Sequence, residues 1–528
     1  MAKPVYKPLL FTTTMRNPAR LKQMMYILNK FNGKILNDTL AIEIVAESIK
    51  YGIYRPMKIT KSIKEKWGSS HKGNFSKELL TADEVRFIIE NNPQKHKEAG
   101  FSKGFASRFA TIFDLCKELG FAYFAPGEPI EVSELGHYLV NILQVEEDGI
   151  NLMVEEIHPE YESQVFLQAF AKSQRKNPFV KVLNDNVPLI LLLQTIKLLN
   201  SDTEFNATGI TRKELLLLIF WKDNNAQALY NRIKQLRGEY GYNPSNETII
   251  DICINEIMGG EYKKCEEKSL ICDYTDDFIR KMRMTGLISL RGAGRFIDIN
   301  HNEDEKVEYV LKKYATYKHF TDEREYFDYI ASIDVNLLSI KAVETSAYRS
   351  EELLVNWVKE YSWDSIKQEL LTLSARRSSK DEILRILAAP IRLEFLTALA
   401  IKSKLPHVRV IPNYVADDTG LPSSTAGGGV GDIECIEPLK GTLVEVTMAE
   451  GRTQTMMEIW PIERHLMEFK EKYTNDSECI FIAPSIYHDS KRQIDFVKFQ
   501  SGGKNVIRAY RIDEFVQFLE CARHLYAV

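Results

Sequence analysis

Two short apolar runs near the C-terminal end of the chain each carry acidic residues, and they constrain the fold more than any other feature. The first is Gly431-Asp432-Ile433-Glu434-Cys435-Ile436 and the second Gly441-Thr442-Leu443-Val444-Glu445-Val446-Thr447, separated by the turn text Pro438-Leu439-Lys440. Both runs have the length and β-branched content of strands, and the turn predicts that they lie side by side. A carboxylate inside such a strand is costly to bury unless something pairs with it. Asp432 and Glu445 at the same depth on neighbouring strands predict an oxygen-only cation site, which suits Mg²⁺ and does not suit Zn²⁺.

A chain of 528 residues exceeds what one hydrophobic core usually supports, so roughly two to four domains are expected. Hydrophobic residues at 44% and charged residues at 27% fit a soluble globular protein and exclude a disordered or fibrous one. No apolar run approaches the ~18 residues of a membrane span, and Met1-Ala2-Lys3-Pro4-Val5-Tyr6-Lys7 lacks the apolar stretch of a secretion signal. An intracellular protein without a membrane partner is expected. The 7 cysteines include no CxxC pair and no Cys/His ligand spacing, so they predict scattered thiols rather than a zinc site or a disulfide framework.

The net charge of −4 conceals unlike segments. Between Lys3 and Lys72 there are 14 Lys/Arg against 4 Asp/Glu, including Lys58, Lys61, Lys64 and Lys66 ahead of Trp67. Such a field suits phosphate contacts, although a solvated basic face has the same composition.

Helix-plus-hairpin text occurs twice. Ser107 to Gly120 has apolar residues at helical spacing and a glycine stop, and Phe121-Ala122-Tyr123-Phe124 and Ile130-Glu131-Val132 then flank Pro126-Gly127-Glu128-Pro129. Phe278 to Gly286, carrying Arg280 and Arg283, precedes Leu287 to Leu290, the glycine-rich Arg291-Gly292-Ala293-Gly294-Arg295 and Phe296 to Ile299. Between them, Thr211 with Glu214 opens one helix, and Asn225 to Arg237 supplies another bearing Arg232, Lys234 and Arg237. These are winged-helix ingredients, though the same text is common in proteins that never touch DNA. Arg291 and Arg295, flanking a glycine-rich wing tip, are the expected exposed contacts.

The predicted architecture is multidomain α+β. A recognition region comprises a winged-helix-like subdomain at 1–150 and a second at 151–302. A helical linker is expected over 303–378, and an α/β catalytic domain over 379–528. Within the last, Lys380 to Ala388 predicts a helix ending before Pro390, and the next helix, Ile391 to Ala400, carries Glu394 among apolar neighbours. The run Ser423 to Gly431 is glycine-rich, but no Gly-Lys-Ser/Thr follows and a strand comes next, so it is not a P-loop. Glu394, Asp432, Glu445 and Glu458 fit convergence on one side of a small sheet. Like charges ~4 Å apart repel by roughly 4 kcal/mol at an effective dielectric near 20, so such a cluster requires one or two cations or a shared proton. Acids on the outer face of an edge sheet remain the alternative.

The pattern Gly-Asp-Ile-Glu, then Val-Glu-Val-Thr, then Gln454-Thr455-Met456-Met457-Glu458, Pro461 and Arg464-His465 resembles the PD-(D/E)xK nuclease core of AlwI-type restriction enzymes. The resemblance extends to Cys479-Ile480-Phe481-Ile482-Ala483-Pro484 and to the wing text from Thr285 to Asn300. It implies that Asp432 and Glu445 bind metal, with Val446 offering its carbonyl, and that Glu394 and Glu458 are further active-site acids. The lysine usual two residues after the Glu is Thr447 here, as in AlwI-like sequences. Orientation of the attacking water then falls to metal, or to Gln454 or His465. His465 also fits a packing or phosphate contact, and Arg464 a phosphate or scaffold contact.

The expected activity is Mg²⁺-dependent hydrolysis of double-stranded DNA outside a short asymmetric site, as in type IIS enzymes, giving 5′-phosphate and 3′-hydroxyl ends. A single site per chain leaves open a strand-specific nicking enzyme, a transient homodimer, or a large subunit completed by a small catalytic subunit. The resemblance also implies a bacterial cytoplasmic protein with a cognate DNA methyltransferase as companion. A non-catalytic winged-helix regulator would explain the N-terminal half without the strand-borne acids. A shape-reading RNA or repair nuclease would explain the acids without duplex-sequence recognition.

Overall fold

The structure is a computed structural model that describes residues 5–7, 20–56, 80–98, 100–147, 152–156, 159–260, 266–343, 346–427, 429–451, 454–455, 458–474 and 476–526. Lys61, Lys64 and Lys66 lie outside the described residues. Two compact units are formed, one from 1–155, 164–285 and 306–340, the other from 156–163, 286–305 and 341–528. Among the described residues no helix is long and apolar enough to cross a membrane.

In the first unit, α1 (Ala106–Glu118) buries Phe109, Ile112, Phe113 and Cys116 at helical spacing. It stops at Gly120, whose φ of +74° and whose close approach to Ala331 both require glycine: a Cβ there would lie 2.7 Å from the Ala331 nitrogen. The hairpin that follows is as predicted, with β1 (Ala122–Tyr123) antiparallel to β2 (Glu131–Val132). Thr211 and Glu214 bond reciprocally, backbone to side chain, ahead of α2 (Leu215–Phe220), and the Asn225 side chain caps α3 (Ala226–Tyr240). The expected helix before the second hairpin is α4 (Thr275–Arg283).

That second hairpin, β3 (Ile288–Arg291) paired antiparallel with β4 (Phe296–Ile299), belongs to the second unit. It is held there by Asp418, whose carboxylate accepts from the Ser289 hydroxyl, from Arg291 Nη2 at 2.6 Å and from the His301 N–H at 3.1 Å.

The segment expected to be a helical linker is helical but packed. In the first unit α5 (Asp304–Tyr314) and α6 (Glu323–Ala331) bury Val307, Val310, Tyr326, Phe327 and Ile330. In the second, α7 (Ala347–Glu360) and α8 (Trp363–Ser374) bury Leu353, Leu354, Trp357, Ile366, Leu370 and Leu373. Its intermittent apolar positions are core faces of short amphipathic helices.

The predicted helix at Lys380 to Ala388 is instead a run of turns, in which Asp381 Oδ1 accepts from the N–H groups of Ile383 and Leu384 at 2.8 Å. An aspartate that satisfies two amides in this way competes with helical pairing. The following helix, α9 (Ala389–Lys404), starts with Pro390 in its first turn and buries Glu394.

The centre of this unit is a five-stranded sheet of β5 (Arg409–Pro412), β8 (Ile433–Ile436), β9 (Gly441–Val446), β10 (Glu478–Ala483) and β11 (Ile507–Arg511). Its spatial order is β11-β10-β9-β8-β5. A separate ribbon of β6 (Tyr414–Ala416) and β7 (Pro422–Ala426) precedes β8 in sequence. The strand β8 is antiparallel to both β5 and β9, while β9, β10 and β11 run parallel. Every residue of β10 is buried, as expected of a parallel strand covered on both faces. On one face α10 (Ile459–Lys472) and α11 (His488–Gln500) pack Ile459, Ile462, Leu466, Phe469, Ile494 and Val497 against Leu443, Phe481 and Ile507. The last helix, α12 (Ile512–Cys521), follows β11 directly.

Candidate active site

Antiparallel pairing fixes the site. Ile433 faces Val444 in the β8–β9 ladder, so the next step outward sets Asp432 opposite Glu445. Asp432 lies one residue before β8 rather than inside it, while Glu445 is within β9 and buried. The Val446 N–H donates to Asp432 Oδ2 at 2.7 Å. Asn413 holds the same corner, its N–H donating to the Asp432 carbonyl at 2.9 Å and its side-chain amide to the Gly431 carbonyl at 2.6 Å. Gly431 is required by space: a Cβ there would crowd Leu443 and come 2.9 Å from Glu445 Oε1.

Side chains two apart on a strand share a face, so Glu445 points with Leu443 towards α10. It meets His465 there, with Nδ1 at 3.0 Å from Glu445 Oε1. The same alternation sends Glu434 beside Lys472 and Tyr473 at the end of α10, at 2.9 Å and 2.6 Å. Glu394 Oε2 accepts the Ala426 N–H at 3.0 Å. Glu458 Oε1 accepts from the Thr447 hydroxyl at 2.7 Å, so the threonine standing where a lysine is usual anchors an acid instead.

Burial and mutual repulsion dominate the electrostatics. Burial raises Glu394 well above the ordinary glutamate range, and the charges of Asp432 and Glu445 raise it further. Asp432 is raised by burial first and then by Glu445, against the opposing pull of the Val446 N–H and of His465. Glu445 is raised by burial and then by Glu458. These carboxyls favour protons unless a positive charge joins them. An all-oxygen donor set of Asp432, Glu445 and the Val446 carbonyl, flanked by Glu394 and Glu458, therefore fits a hard divalent cation.

Gln454 does not fit the water-orienting role expected of it. It is fully buried, its Nε2 donates to the carbonyls of Ala449 at 3.1 Å and Ser485 at 2.8 Å, and its Oε1 accepts the Tyr487 N–H at 2.8 Å. The amide ties two loops together and is saturated. Asn413 is a residue that sequence reading passed over, Thr447 serves as a tether for Glu458, and burial, then the charges of Glu394 and Asp417, raise the Tyr414 hydroxyl above the usual tyrosine range. The glycine before Asp432 was the visible signal for the first of these close contacts.

The basic candidates divide by burial. Arg237 is corrected from a DNA contact to a core residue: its guanidinium is fully buried and bonds both oxygens of Glu214 at 2.8 and 2.9 Å. Arg283, a candidate DNA contact, is buried, and Arg291, expected to be an exposed contact, is instead committed to Asp298 and Asp418 at 3.1 and 2.6 Å. Lys234 pairs at the surface with Asp202 and Glu204, whereas the largely buried Arg232 holds both carboxylate oxygens of Glu256. An exposed pair such as that of Lys234 is worth about 0–1 kcal/mol, little enough for a phosphate to displace it. Arg280 is half-buried, and Arg295 is exposed with its guanidinium 5.6 Å from the Phe296 ring centre.

A mixed α+β unit whose sheet sets Asp432 opposite Glu445, with the charges of Glu394 and Glu458 close by, defines a carboxylate-centred site. The chain belongs to the AlwI restriction endonuclease family, which matches residues 117–362 and 344–512. It is thus a restriction endonuclease, a sequence-specific enzyme of DNA. Among solved structures it is similar to the small subunit R.BspD6I2 of the heterodimeric restriction endonuclease R.BspD6I, at 24% identity over 29% of this chain and 76% of that one, with a TM-score of 0.25. Restriction endonuclease FokI aligns at 11% identity over 98% of this chain and 97% of its own, with a TM-score of 0.24. FokI bound to DNA aligns at 12% over 99% and 96%, with a TM-score of 0.22. No curated protein matches the chain.

Proposed function

We propose that the chain is a Mg²⁺-dependent type IIS endonuclease, cutting DNA at a fixed offset from a short asymmetric site and leaving 5′-phosphate and 3′-hydroxyl ends. The observation that carries this reading is the cross-strand pair of Asp432 and Glu445, raised by burial and repulsion and open to solvent on the Asp432 side. When bound, Mg²⁺ would lower the pKa of the attacking water and offset charge on the phosphate. The chain's own groups do the positioning. The Val446 N–H fixes the Asp432 carboxylate, His465 fixes that of Glu445, Thr447 holds Glu458, and the Ala426 N–H holds Glu394. Recognition falls to the first unit and its winged-helix-like segments, with Lys234 and the partly buried Arg232 and Arg280 the candidates there and Arg295 at the tip of the β3–β4 hairpin.

A centre of this kind cuts one strand at a time, so double-strand cleavage calls for a second catalytic domain. On the outer side of α10 and α11 the exposed side chains of Trp460, Met467, Phe496 and Phe499, with Trp460 and Phe496 in ring contact at 6.3 Å, offer an apolar face for a second copy or a small catalytic subunit. A methyltransferase companion and a bacterial cytoplasmic setting accompany this reading. Incubation with supercoiled plasmid and Mg²⁺, followed by run-off sequencing of both strands, tests it. One constant offset outside a common sequence is expected, with linear product for self-sufficient double-strand cutting and open circles for nicking. Cuts inside the common sequence, or none in Mg²⁺, would contradict it.

A further inference from the structure

At the opposite end of β8 a second cluster has chemistry unlike the oxygen-only centre. His407 precedes β5, Glu437 follows β8 and His524 follows α12, and each brings a donor atom within 4.8 Å of the other two. Glu437 Oε1 lies 2.9 Å from His524 Nδ1 and 3.3 Å from His407 Nε2, while its Oε2 accepts the Leu525 N–H at 3.0 Å. The glutamate side chain is 1% exposed, beneath imidazoles that are 48% and 41% exposed. The two rings stand nearly perpendicular, their centres 5.8 Å apart.

We propose that His407, Glu437 and His524 form a binding site for a borderline transition-metal ion of the Zn²⁺ type, separate from the nuclease centre. Two imidazoles with one carboxylate suit Zn²⁺ and do not suit Mg²⁺. Around a tetrahedral ion with bonds of ~2.0–2.1 Å, donor atoms stand roughly 3.3–3.4 Å apart; His407 Nε2 already stands 3.3 Å from Oε1, and His524 Nδ1, at 2.9 Å, would open slightly to admit the ion. The fourth position is left to water, and the exposed rings leave a path from solvent. The Leu525 N–H occupies Oε2 and so orients Oε1 towards the two imidazoles, as outer partners of metal ligands do. Glu437 stands five residues beyond Asp432, roughly 16 Å at strand rise, so one ion cannot serve both centres. The bound ion would clamp the C-terminal segment after α12 to the ends of β5 and β8. A metal-free His–Glu–His ion cluster is the competing account of the same contacts.

The experiment uses the full chain, stripped with chelator and held in excess Mg²⁺ to fill the nuclease centre, then titrated with Co²⁺ and, separately, Zn²⁺. One Co²⁺ per chain with the visible absorption of a tetrahedral ion, displaced by Zn²⁺, is expected. His407→Ala with His524→Ala should weaken binding at least ~10-fold, whereas Asp432→Ala should leave it unchanged. Both histidines are partly exposed, so circular dichroism without metal should match the parent, and His524→Ala alone provides a milder variant. Absence of stoichiometric binding, binding that survives loss of both histidines, or binding lost in Asp432→Ala would overturn the proposal.

Discussion

His465 Nδ1 lies 3.0 Å from Oε1 of Glu445, and both side chains are buried between β9 and α10. The imidazole touches a carboxylate that is itself a candidate metal ligand, so it acts on the reaction by fixing that carboxylate's direction. His465→Ala should lower kcat by ~10–100-fold and raise the Mg²⁺ concentration needed for half-maximal rate, with specific DNA binding unchanged. A direct role in proton transfer would leave the Mg²⁺ requirement where it was and change the pH–rate profile instead.

Gly431→Ala places a methyl group against Leu443 and about 2.9 Å from Glu445 Oε1. The neighbours form a packed strand pair with little room to yield, so the added carbon should push the carboxylate away from Asp432. Cleavage should fall by ~100-fold or more, since small misplacements of reacting groups have effects of this size. Circular dichroism should remain that of the parent. Parent-level cleavage by this variant would show that the corner is compliant.

Gln454→Ala separates structure from chemistry. Three hydrogen bonds join the 449, 485 and 487 backbones through this side chain, and its removal leaves buried amide and carbonyl groups unsatisfied. Thermal stability should drop by about 1–3 kcal/mol, and residual cleavage at low temperature should persist. Complete loss of cleavage in a fully folded variant would return Gln454 to the catalytic group.

How far the sequence carried depends on what each residue answers to. The adjacency of Asp432 and Glu445 was legible because strand pairing across a short turn is local and a period of two decides the face. Both hairpins and the helices before them were legible for the same reason. The fate of the arginines was not. Arg237 is spent on Glu214, 23 residues earlier, and Arg291 on Asp418, 127 residues later, and nothing in a local window distinguishes such partners from DNA phosphate. The helices of the segment at 303–378 were legible but their packing was not, because apolar positions are sparse in any one helix and only become a core when several short helices share them. The 380–388 turns escaped because Asp381 takes amides that a helix would otherwise pair.

Glu118 gives the first unit a pH dependence of defined sign. Burial, then the charge of Asp114, push it up to about 8 from the usual 4.5, against the pull of Arg175, Lys281 and Lys7. Between these values the unfolded chain has released a proton that the folded chain retains. The contribution to stability is present in full below about 4.5 and is lost as pH rises towards 8. The unfolding midpoint should therefore fall between about pH 5 and pH 8, and Glu118→Gln should fall less over the same range. Parallel curves for parent and variant would show that Glu118 ionises freely in the folded chain.

The central claim, that Asp432 and Glu445 together form the cutting centre, is tested most directly by purifying Asp432→Ala and Glu445→Ala and assaying each for plasmid cleavage in Mg²⁺ and for binding to the cognate duplex. Cleavage below detection with cognate binding within about 3-fold of the parent, a difference of under ~1 kcal/mol, is the predicted result. Continued cutting by both folded variants would contradict the account.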